Sequence, residues 1–276
     1  MHRPSYLVDI HTHCFPDALA ARAMENLMAE YRVTPVGDGT LAGLRRHMAA
    51  TGVSVSIVLS VATKPAQVAS INDWAASINS PDVVAFGALH PDLPDPTEEV
   101  ERIIDLGLRG VKFQPTFQRF APDEERMFPV YRALEGRLAV MFHAGDEIQP
   151  APEIPSTPRA LAHVHKAFPG LTMIAAHFGG YRMWDEVREH LVGTGVCFDT
   201  SYCPPDDLPD QEMIDLIRAH GAERIIFGSD FPFGNPGPDL DRLLELGLER
   251  EEVEAIAWRN ADRLLGLGLE AHRMAQ

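Results

Sequence analysis

The amino-acid sequence predicts an α/β protein of the (β/α)8 barrel class, and two features of its patterning lead to that prediction. Eight short apolar runs recur along the 276 residues, and each is apolar almost without interruption, as in strands that are buried on both faces. Helical patterns fill the gaps between these runs, so strand and helix alternate through the chain. One barrel typically takes about 250 residues, so we expect a single domain over residues 1–276.

The elements follow one another in a regular order. The predicted strands are 7–13, 53–60, 83–90, 110–114, 138–143, 171–177, 195–200 and 224–230. The predicted helices are 40–51, 65–79, 96–106, 123–134, 157–167, 183–191, 209–220 and 239–246, with a last amphipathic stretch at 251–265. Several of them start at Pro, Asp or Thr, which helix N-termini favour. An additional helical segment, Asp17–Tyr31, reads as an insertion between the first strand and its helix.

An open, doubly wound sheet is the alternative architecture. Such a sheet would carry a GxGxxG or GxxxxGKS/T turn if it bound nucleotides, and the sequence has neither. We therefore prefer the closed barrel.

The charge balance excludes two classes of partner. There are 24 Lys and Arg against 40 Asp and Glu, which gives a net charge of −16. Nucleic acids and anionic membranes attract basic surfaces, so neither is an expected partner. The first residues lack the apolar stretch of a secretory signal, and the uncharged run at 51–63 is too short to cross a bilayer. The three cysteines are odd in number and lack CxxC spacing, so we expect a reduced, cytoplasmic protein.

Histidine is the one unusual count, with twelve in the chain, and several histidines end predicted strands. His11 and His13 close the first strand, His143 the fifth and His177 the sixth, while Asp230 closes the eighth. The C-terminal strand ends of a barrel share the face that carries the active site, and residues i and i+2 point to the same side. A single buried histidine at a strand end is more often a core residue, but this joint placement predicts a metal site. Three imidazoles and one carboxylate suit a cation such as Zn²⁺.

Six segments carry a resemblance to a known family. They are DIHTH at 9–13, RGVKFQP at 109–115, FHAGD at 142–146, AHFGG at 176–180, FGSDFPF at 227–233 and NADRLLGL at 260–267. With them the chain resembles the amidohydrolase superfamily, in the branch of TIM-barrel metal-dependent hydrolases that also holds aminocarboxymuconate-semialdehyde decarboxylase-like enzymes. The ordered set is specific for the superfamily and poorly specific for the reaction.

The resemblance implies a role for each strand-end residue. His11, His13, His143 and Asp230 become metal ligands, and His177 becomes a ligand or a catalytic contact. We expect one divalent ion, Zn²⁺ first and Mn²⁺ second, that activates water, with Asp230 as the proton shuttle. His177 would hold that water or polarise the scissile carbonyl.

The expected activity is hydrolysis of a lactone, an amide or a similar C–O or C–N bond in a small molecule. The alternative is non-oxidative decarboxylation of an aromatic or unsaturated carboxylic acid. The Ala144-Gly145-Asp146 sequence after His143 favours hydrolysis, because it differs from the pattern associated with the decarboxylases. A barrel that has lost its chemistry is a third interpretation, and the intact ligand set argues against it.

Lys112 has three possible roles. It lies on the fourth predicted strand with Gln114 two residues later, so both should face the same side. It could be carbamylated and bridge two metals, bind a substrate carboxylate, or form an internal ion pair. We favour a single metal, because the branch that the chain resembles is usually mononuclear. The related motif often has His where this chain has Gln114, and this difference removes one possible ligand for a second metal.

Three further residues are candidates for substrate binding. Arg119 and Arg182 lie with aromatic residues in loops after the fourth and sixth strands, and would suit a planar carboxylate. A lid that packs on itself explains them equally well. His90 ends the third strand and either borders the pocket or is a structural residue before Pro91. The expected partner is thus a small molecule, with a carboxylate as a candidate group, and a homodimer is the oligomer common among such barrels.

Overall fold

The structure is a computed structural model that describes residues 3–274. The strands in this range are β1 (Val8–Thr12), β2 (Val55–Val58), β3 (Val83–Ala85), β4 (Gly87–Ala88), β5 (Gly110–Phe113), β6 (Ala139–Phe142), β7 (Met173–Ala175), β8 (Cys197–Asp199) and β9 (Ile225–Ile226). Every predicted strand run contains one of them, and the third run is divided into β3 and β4.

Helices occupy the connections as predicted. They are α1 (Asp17–Tyr31), α2 (Leu41–Thr51), α3 (Val68–Ile78), α4 (Pro96–Asp105), α5 (Pro115–Gln118), α6 (Phe128–Leu134), α7 (Pro158–Ala167), α8 (Trp184–His190), α9 (Asp210–His220), α10 (Pro236–Glu245), α11 (Arg250–Glu254), α12 (Asn260–Leu265) and α13 (Leu269–Met274). Helix α1 has the same bounds as the predicted insertion. The stretch predicted at 251–265 contains a π-helical segment, Ala255–Arg259, between α11 and α12.

Side-chain caps explain where several helices begin. The Thr40 side chain accepts a hydrogen bond from the backbone amide of Gly43 at the start of α2. At the start of α7 the Thr157 side chain accepts one from the backbone amide of Ala160. Helix α5 lies in a segment predicted as loop. There Gln114 is the cap, accepting from the Thr116 amide, and a proline follows it in the first helical turn.

The described residues form two compact units, the first of which comprises residues 3–57 and 199–274. Within it β1 has neighbours on both sides. The Leu7 carbonyl accepts from Ser54 at 2.7 Å, and the Ile10 amide donates to Phe227 at 3.0 Å. All five residues of β1 are buried, so this strand is central to the unit and holds the ends of its neighbours in register.

The second unit is Val58–Phe198. Strands β4, β5, β6 and β7 lie side by side in parallel, with Lys112 opposite Met141 and Phe142 opposite Ala175. The rings of Phe113 and Phe142 stack at 5.6 Å between centroids. Because these strands run in parallel, the residues that follow β5, β6 and β7 emerge at the same edge of the sheet.

No helix among residues 3–274 combines the length and the hydropathy that a bilayer crossing requires. Cys14, Cys197 and Cys203 are buried, and no disulfide joins them in the part of the chain that the structure describes.

Candidate metal centre

Two histidines of the first unit project from β1 and its first following residue. His11 lies in β1 and His13 directly after it, so the two-residue period of a strand turns both side chains the same way. Their rings lie 5.1 Å apart between centroids, at 72° to each other. The spacing His-Thr-His thus gives the paired arrangement that the sequence predicts.

Asp230 joins this pair from the turn after β9. Its amide donates to the His11 carbonyl at 2.8 Å, which brings the turn alongside β1. Its Oδ1 lies 3.4 Å from Nε2 of His11 and 3.2 Å from Nε2 of His13. The three ligand atoms are within 4.8 Å of one another, so these three side chains lie together at one place.

The backbone at Asp230 has a φ of 66°, in the left-handed region that residues with a Cβ adopt at a cost of about 1–2 kcal/mol. A buried network around Asp9 holds the turn in this conformation. The Asp9 carboxylate accepts from the Ser229 hydroxyl at 2.6 Å and from the Ser229 amide at 2.9 Å. The Phe231 amide donates in turn to the Ser229 hydroxyl at 3.1 Å. The residues on both sides of Asp230 are therefore fixed.

Burial has a strong effect on the charge of Asp9. It raises the pKa of this carboxyl from 3.8 to about 7, although the hydrogen bonds from Ser229 and from the His11 amide lower it. The hydrogen bonds that Asp9 accepts from the His11 amide and from Ser229 join the metal-binding strand to the Asp230 turn.

The His11 ring is held on the side away from Asp230. Its Nδ1 lies 2.8 Å from Oδ2 of Asp199 and 3.0 Å from the hydroxyl oxygen of Ser201. A carboxylate only accepts hydrogen bonds, so Nδ1 carries the proton and Nε2 of the neutral ring is a lone-pair acceptor. That acceptor faces the acceptor oxygen of Asp230.

This arrangement fits a divalent cation. A nitrogen and a carboxylate oxygen that face each other at 3.4 Å are held together by a proton or by a metal ion between them. Two imidazole nitrogens with one carboxylate oxygen are a donor set that Zn²⁺ and Mn²⁺ accept. His11, His13 and Asp230 are thus the side chains that could hold the ion.

The other two predicted strand-end histidines meet in the second unit. His143 follows β6 directly. One residue separates His177 from the end of β7, and His177 has a left-handed φ of 56°. Nε2 of His177 lies 3.2 Å from Nδ1 of His143. On the opposite side of the His143 ring, Nε2 lies 3.2 Å from Oε1 of Glu147. Gln114 also donates to this oxygen, at 3.0 Å, so a buried polar chain runs through the unit.

Sequence patterning missed several members of these networks. Asp199 and Ser201 were inside or next to a predicted strand, Glu147 was four residues after a predicted ligand, and Asp9 lay in a recognised motif. The available signal was a polar side chain at a strand end. The contacts of Asp199 with His11 and of Asp9 with Ser229 could not be predicted, because the partners come from distant parts of the chain.

The predicted substrate residues have varied surroundings within the second unit. Lys112 is buried, as expected for an inward-facing position on β5. Arg119 is exposed at the end of α5. Arg182 lies over the Tyr181 ring at 4.6 Å and donates to the Ile148 carbonyl at 3.2 Å, as in a loop that packs on itself.

His90 is buried, and its Nδ1 accepts from the Asp92 amide at 3.1 Å. Burial lowers the pKa of this imidazole, so the neutral ring is favoured. These contacts are those of the structural alternative considered for His90.

Residues 8–267 match the model of the Amidohydrolase family, and the chain belongs to this family. No curated protein matches the sequence.

Solved structures show the fold. An uncharacterized TIM-barrel protein from Bordetella bronchiseptica is 21% identical with a TM-score of 0.72, and the match covers 95% of this chain and 99% of that one. The chain therefore has the predicted (β/α)8 barrel fold.

Two further similar structures differ in their chemistry. A dihydroxybenzoic acid decarboxylase from Polaromonas sp. JS666, with bound manganese and 2-nitroresorcinol, is 17% identical with a TM-score of 0.71, covering 95% of this chain and 97% of that one. A candidate 2-pyrone-4,6-dicarboxylic acid hydrolase from Pseudomonas putida is 20% identical with a TM-score of 0.66, covering 97% and 99%. Other matching structures include decarboxylases of 2,6-dihydroxybenzoate and 5-carboxyvanillate.

Proposed function

We propose that this protein is a metal-dependent enzyme that removes CO₂, without oxidation, from an aromatic or unsaturated carboxylic acid. The observation that carries the proposal is the His11, His13 and Asp230 cluster, found in a fold that decarboxylases of hydroxylated benzoic acids share. The sequence alone favoured hydrolysis over decarboxylation. The comparisons favour the decarboxylase, which was the alternative.

In this proposal His11, His13 and Asp230 hold one divalent ion, Zn²⁺ or Mn²⁺. When bound, the ion supplies a positive charge that binds and orients the substrate carboxylate or an oxygen next to it. Further roles stay predictions from the sequence: His143 as an additional ligand, His177 as a catalytic contact, and substrate contacts by Lys112, Arg119, Arg182 and His90. Carbamylation of Lys112 with a second metal stays the less favoured alternative.

Decarboxylation needs a proton donor. The electron pair of the broken C–C bond stays on the substrate carbon, so one proton must reach that carbon as CO₂ leaves. Three carboxyl groups lie in or next to the cluster. The side chain of Asp230 is 14% exposed, whereas Asp9 and Asp199 are 1% and 0% exposed. Only the Asp230 carboxyl of these three is open to a substrate, so we assign to its oxygen the uptake of a proton from solvent and the transfer of that proton to the substrate carbon.

Hydrolysis of a lactone is the second candidate, supported by the similarity to the candidate 2-pyrone-4,6-dicarboxylic acid hydrolase. The same carboxyl would then take a proton from the attacking water and give it to the leaving oxygen. Both reactions therefore use Asp230, and they differ in whether a C–C or a C–O bond breaks.

A substrate panel separates the two reactions. Protein loaded with Zn²⁺ or with Mn²⁺ is incubated with hydroxybenzoates, unsaturated acids, pyrone lactones and amides, while CO₂ release and acid release are recorded in parallel. We expect CO₂ from a hydroxylated aromatic acid or an unsaturated acid. Acid release from lactones or amides without CO₂ from any acid would overturn the decarboxylase proposal. Asp230→Asn should lose whichever product the wild type releases, because both reactions use this carboxyl. Asp215→Asn is its matched control, because Asp215 is exposed on α9 and bonds only Gln211 among the contacts described.

A further inference from the structure

The buried pair Asp199 and Ser201 lies behind the metal-binding face of His11. Asp199 ends β8, and Ser201 follows it by two residues. Both are fully buried and His11 is nearly so. Placing a carboxylate in such a position is costly unless it is well hydrogen-bonded, so its contacts indicate what it does.

Both oxygens of the Asp199 carboxylate are engaged. Oδ1 accepts from the amide of Ser201 at 3.0 Å and from its hydroxyl at 2.5 Å. Oδ2 is left to accept from Nδ1 of His11 at 2.8 Å. Ser201 thus fixes the rotation of the carboxylate, and the carboxylate fixes the rotation and the proton position of the imidazole.

This trio is not a nucleophilic triad. In a Ser-His-Asp triad the serine and the carboxylate lie on opposite ring nitrogens, whereas here both lie against Nδ1 of His11. The hydroxyl of Ser201 is also buried, where no substrate reaches it. The geometry is instead that of a carboxylate behind a metal-binding histidine, which raises the basicity of the ligand nitrogen.

We propose that Asp199 and Ser201 are positioning residues for the metal centre, and that they hold His11 in the Nδ1–H form with Nε2 aimed at the ion. A partner that binds the far nitrogen of a ligand histidine typically contributes 10- to 100-fold in metal affinity. Ser201 also lies 3.0 Å from Nδ1 of His11, but its hydroxyl donates to Asp199, and the carboxylate keeps its own bond to His11 when Ser201 is removed. Removal of Ser201 should therefore have the smaller effect. The proposal depends on the metal centre but not on which reaction the enzyme performs.

The test measures Zn²⁺ affinity by competition with a chromophoric chelator, using the full-length chain after removal of bound metal. We expect affinity to fall about 100-fold in Asp199→Ala, about 10-fold in Asp199→Asn and less in Ser201→Ala. Long-range ¹H–¹⁵N spectra of the metal-free protein should show His11 protonated at Nδ1 in the wild type and a mixture of tautomers in Asp199→Ala. The visible spectrum of the Co²⁺-loaded protein should differ from that of the wild type most in Asp199→Ala, less in Asp199→Asn and least in Ser201→Ala.

Thr200→Val is the matched structural control. Thr200 lies between the two residues, but its hydroxyl bonds only the backbone of Gly228, at 3.0 Å in both directions, among the contacts described. This variant should lose stability and keep its Zn²⁺ affinity. Equal losses of affinity in Thr200→Val and Asp199→Ala would overturn the proposal, because the role would then be structural.

The isosteric Asp199→Asn variant keeps the test valid if Asp199→Ala does not fold. Zn²⁺ affinity within twofold of the wild type in folded Asp199→Asn, with an unchanged His11 tautomer, would overturn the proposal. Failure of the wild type to bind Zn²⁺ or Mn²⁺ would be a different result, because it would refute the metal centre itself.

Discussion

Ser229 is outside the ligand set, yet Ser229→Ala should weaken both the fold and the metal centre. The substitution deletes the 2.6 Å bond to the Asp9 carboxylate and the 3.1 Å bond from the Phe231 amide. A hydrogen bond to a charged group contributes about 2 kcal/mol and one between neutral groups about 1 kcal/mol. The expected loss is therefore about 3 kcal/mol, which lowers Tm by about 8 °C in a domain of this size.

Thermal unfolding followed by circular dichroism at pH 8 measures this loss. At that pH the Asp9 carboxyl, with a pKa of about 7, is mostly ionised and the deleted bond is charge-assisted. Ser70→Ala is the control: Ser70 is exposed on α3 and bonds only the Gln67 carbonyl among the contacts described, so the change should stay within about 0.5 kcal/mol. A Tm for Ser229→Ala within about 2 °C of the wild type would refute the role of the Asp9 network.

Three other predictions concern the centre, the second unit and the thiols. Asp230→Asn should lower kcat by about 10²- to 10⁴-fold with an unchanged circular dichroism spectrum, and wild-type turnover in this variant would contradict the proton-transfer role. Gly145→Ala should lower the free energy of unfolding, measured in urea, by more than about 3 kcal/mol. Gly145 has a φ of 83°, and an added Cβ would collide with the backbone of Tyr181. An unchanged free energy of unfolding would mean that this loop packs differently. Burial raises the pKa of Cys14 to about 12 and that of Cys203 well above its usual value, so a disulfide reagent at pH 8 should react with these thiols only after denaturant is added, and rapid labelling of the folded protein would contradict their burial.

Patterning predicted the elements well where a single local property decides them. Continuous apolar runs identified every strand among residues 3–274, because a strand that is buried on both faces carries apolar residues on both faces. The insertion helix Asp17–Tyr31 was predicted to the residue. The short helix Pro115–Gln118 was missed, because four residues carry no helical period and its cap depends on the side chain of Gln114.

The candidate site was predictable to the extent that strand direction determines it. His11 and His13 share a side because of the two-residue period, and Asp230 reaches them because its strand neighbours theirs. The residues that orient them were not predictable. Asp199 comes 188 positions after His11. No local sequence pattern predicts that a carboxylate at one strand end will contact a particular imidazole.

The reaction was the least predictable property, because hydrolysis and decarboxylation make the same demand on the ligand set. Both need an oriented cation and one carboxyl that moves a proton. The residues that would distinguish them contact the substrate, and their role depends on loop conformation more than on residue type. Arg182, for example, is engaged by Tyr181 and by the Ile148 carbonyl.

The metal content of the purified protein tests the central claim most directly. Elemental analysis by mass spectrometry should find about one equivalent of Zn²⁺, Mn²⁺ or a similar divalent ion per chain in the wild type. The His11→Ala/His13→Ala double variant should retain less than about a tenth of it. A folded wild-type chain that carries no such ion, and binds neither Zn²⁺ nor Mn²⁺ when either is added, would contradict the account.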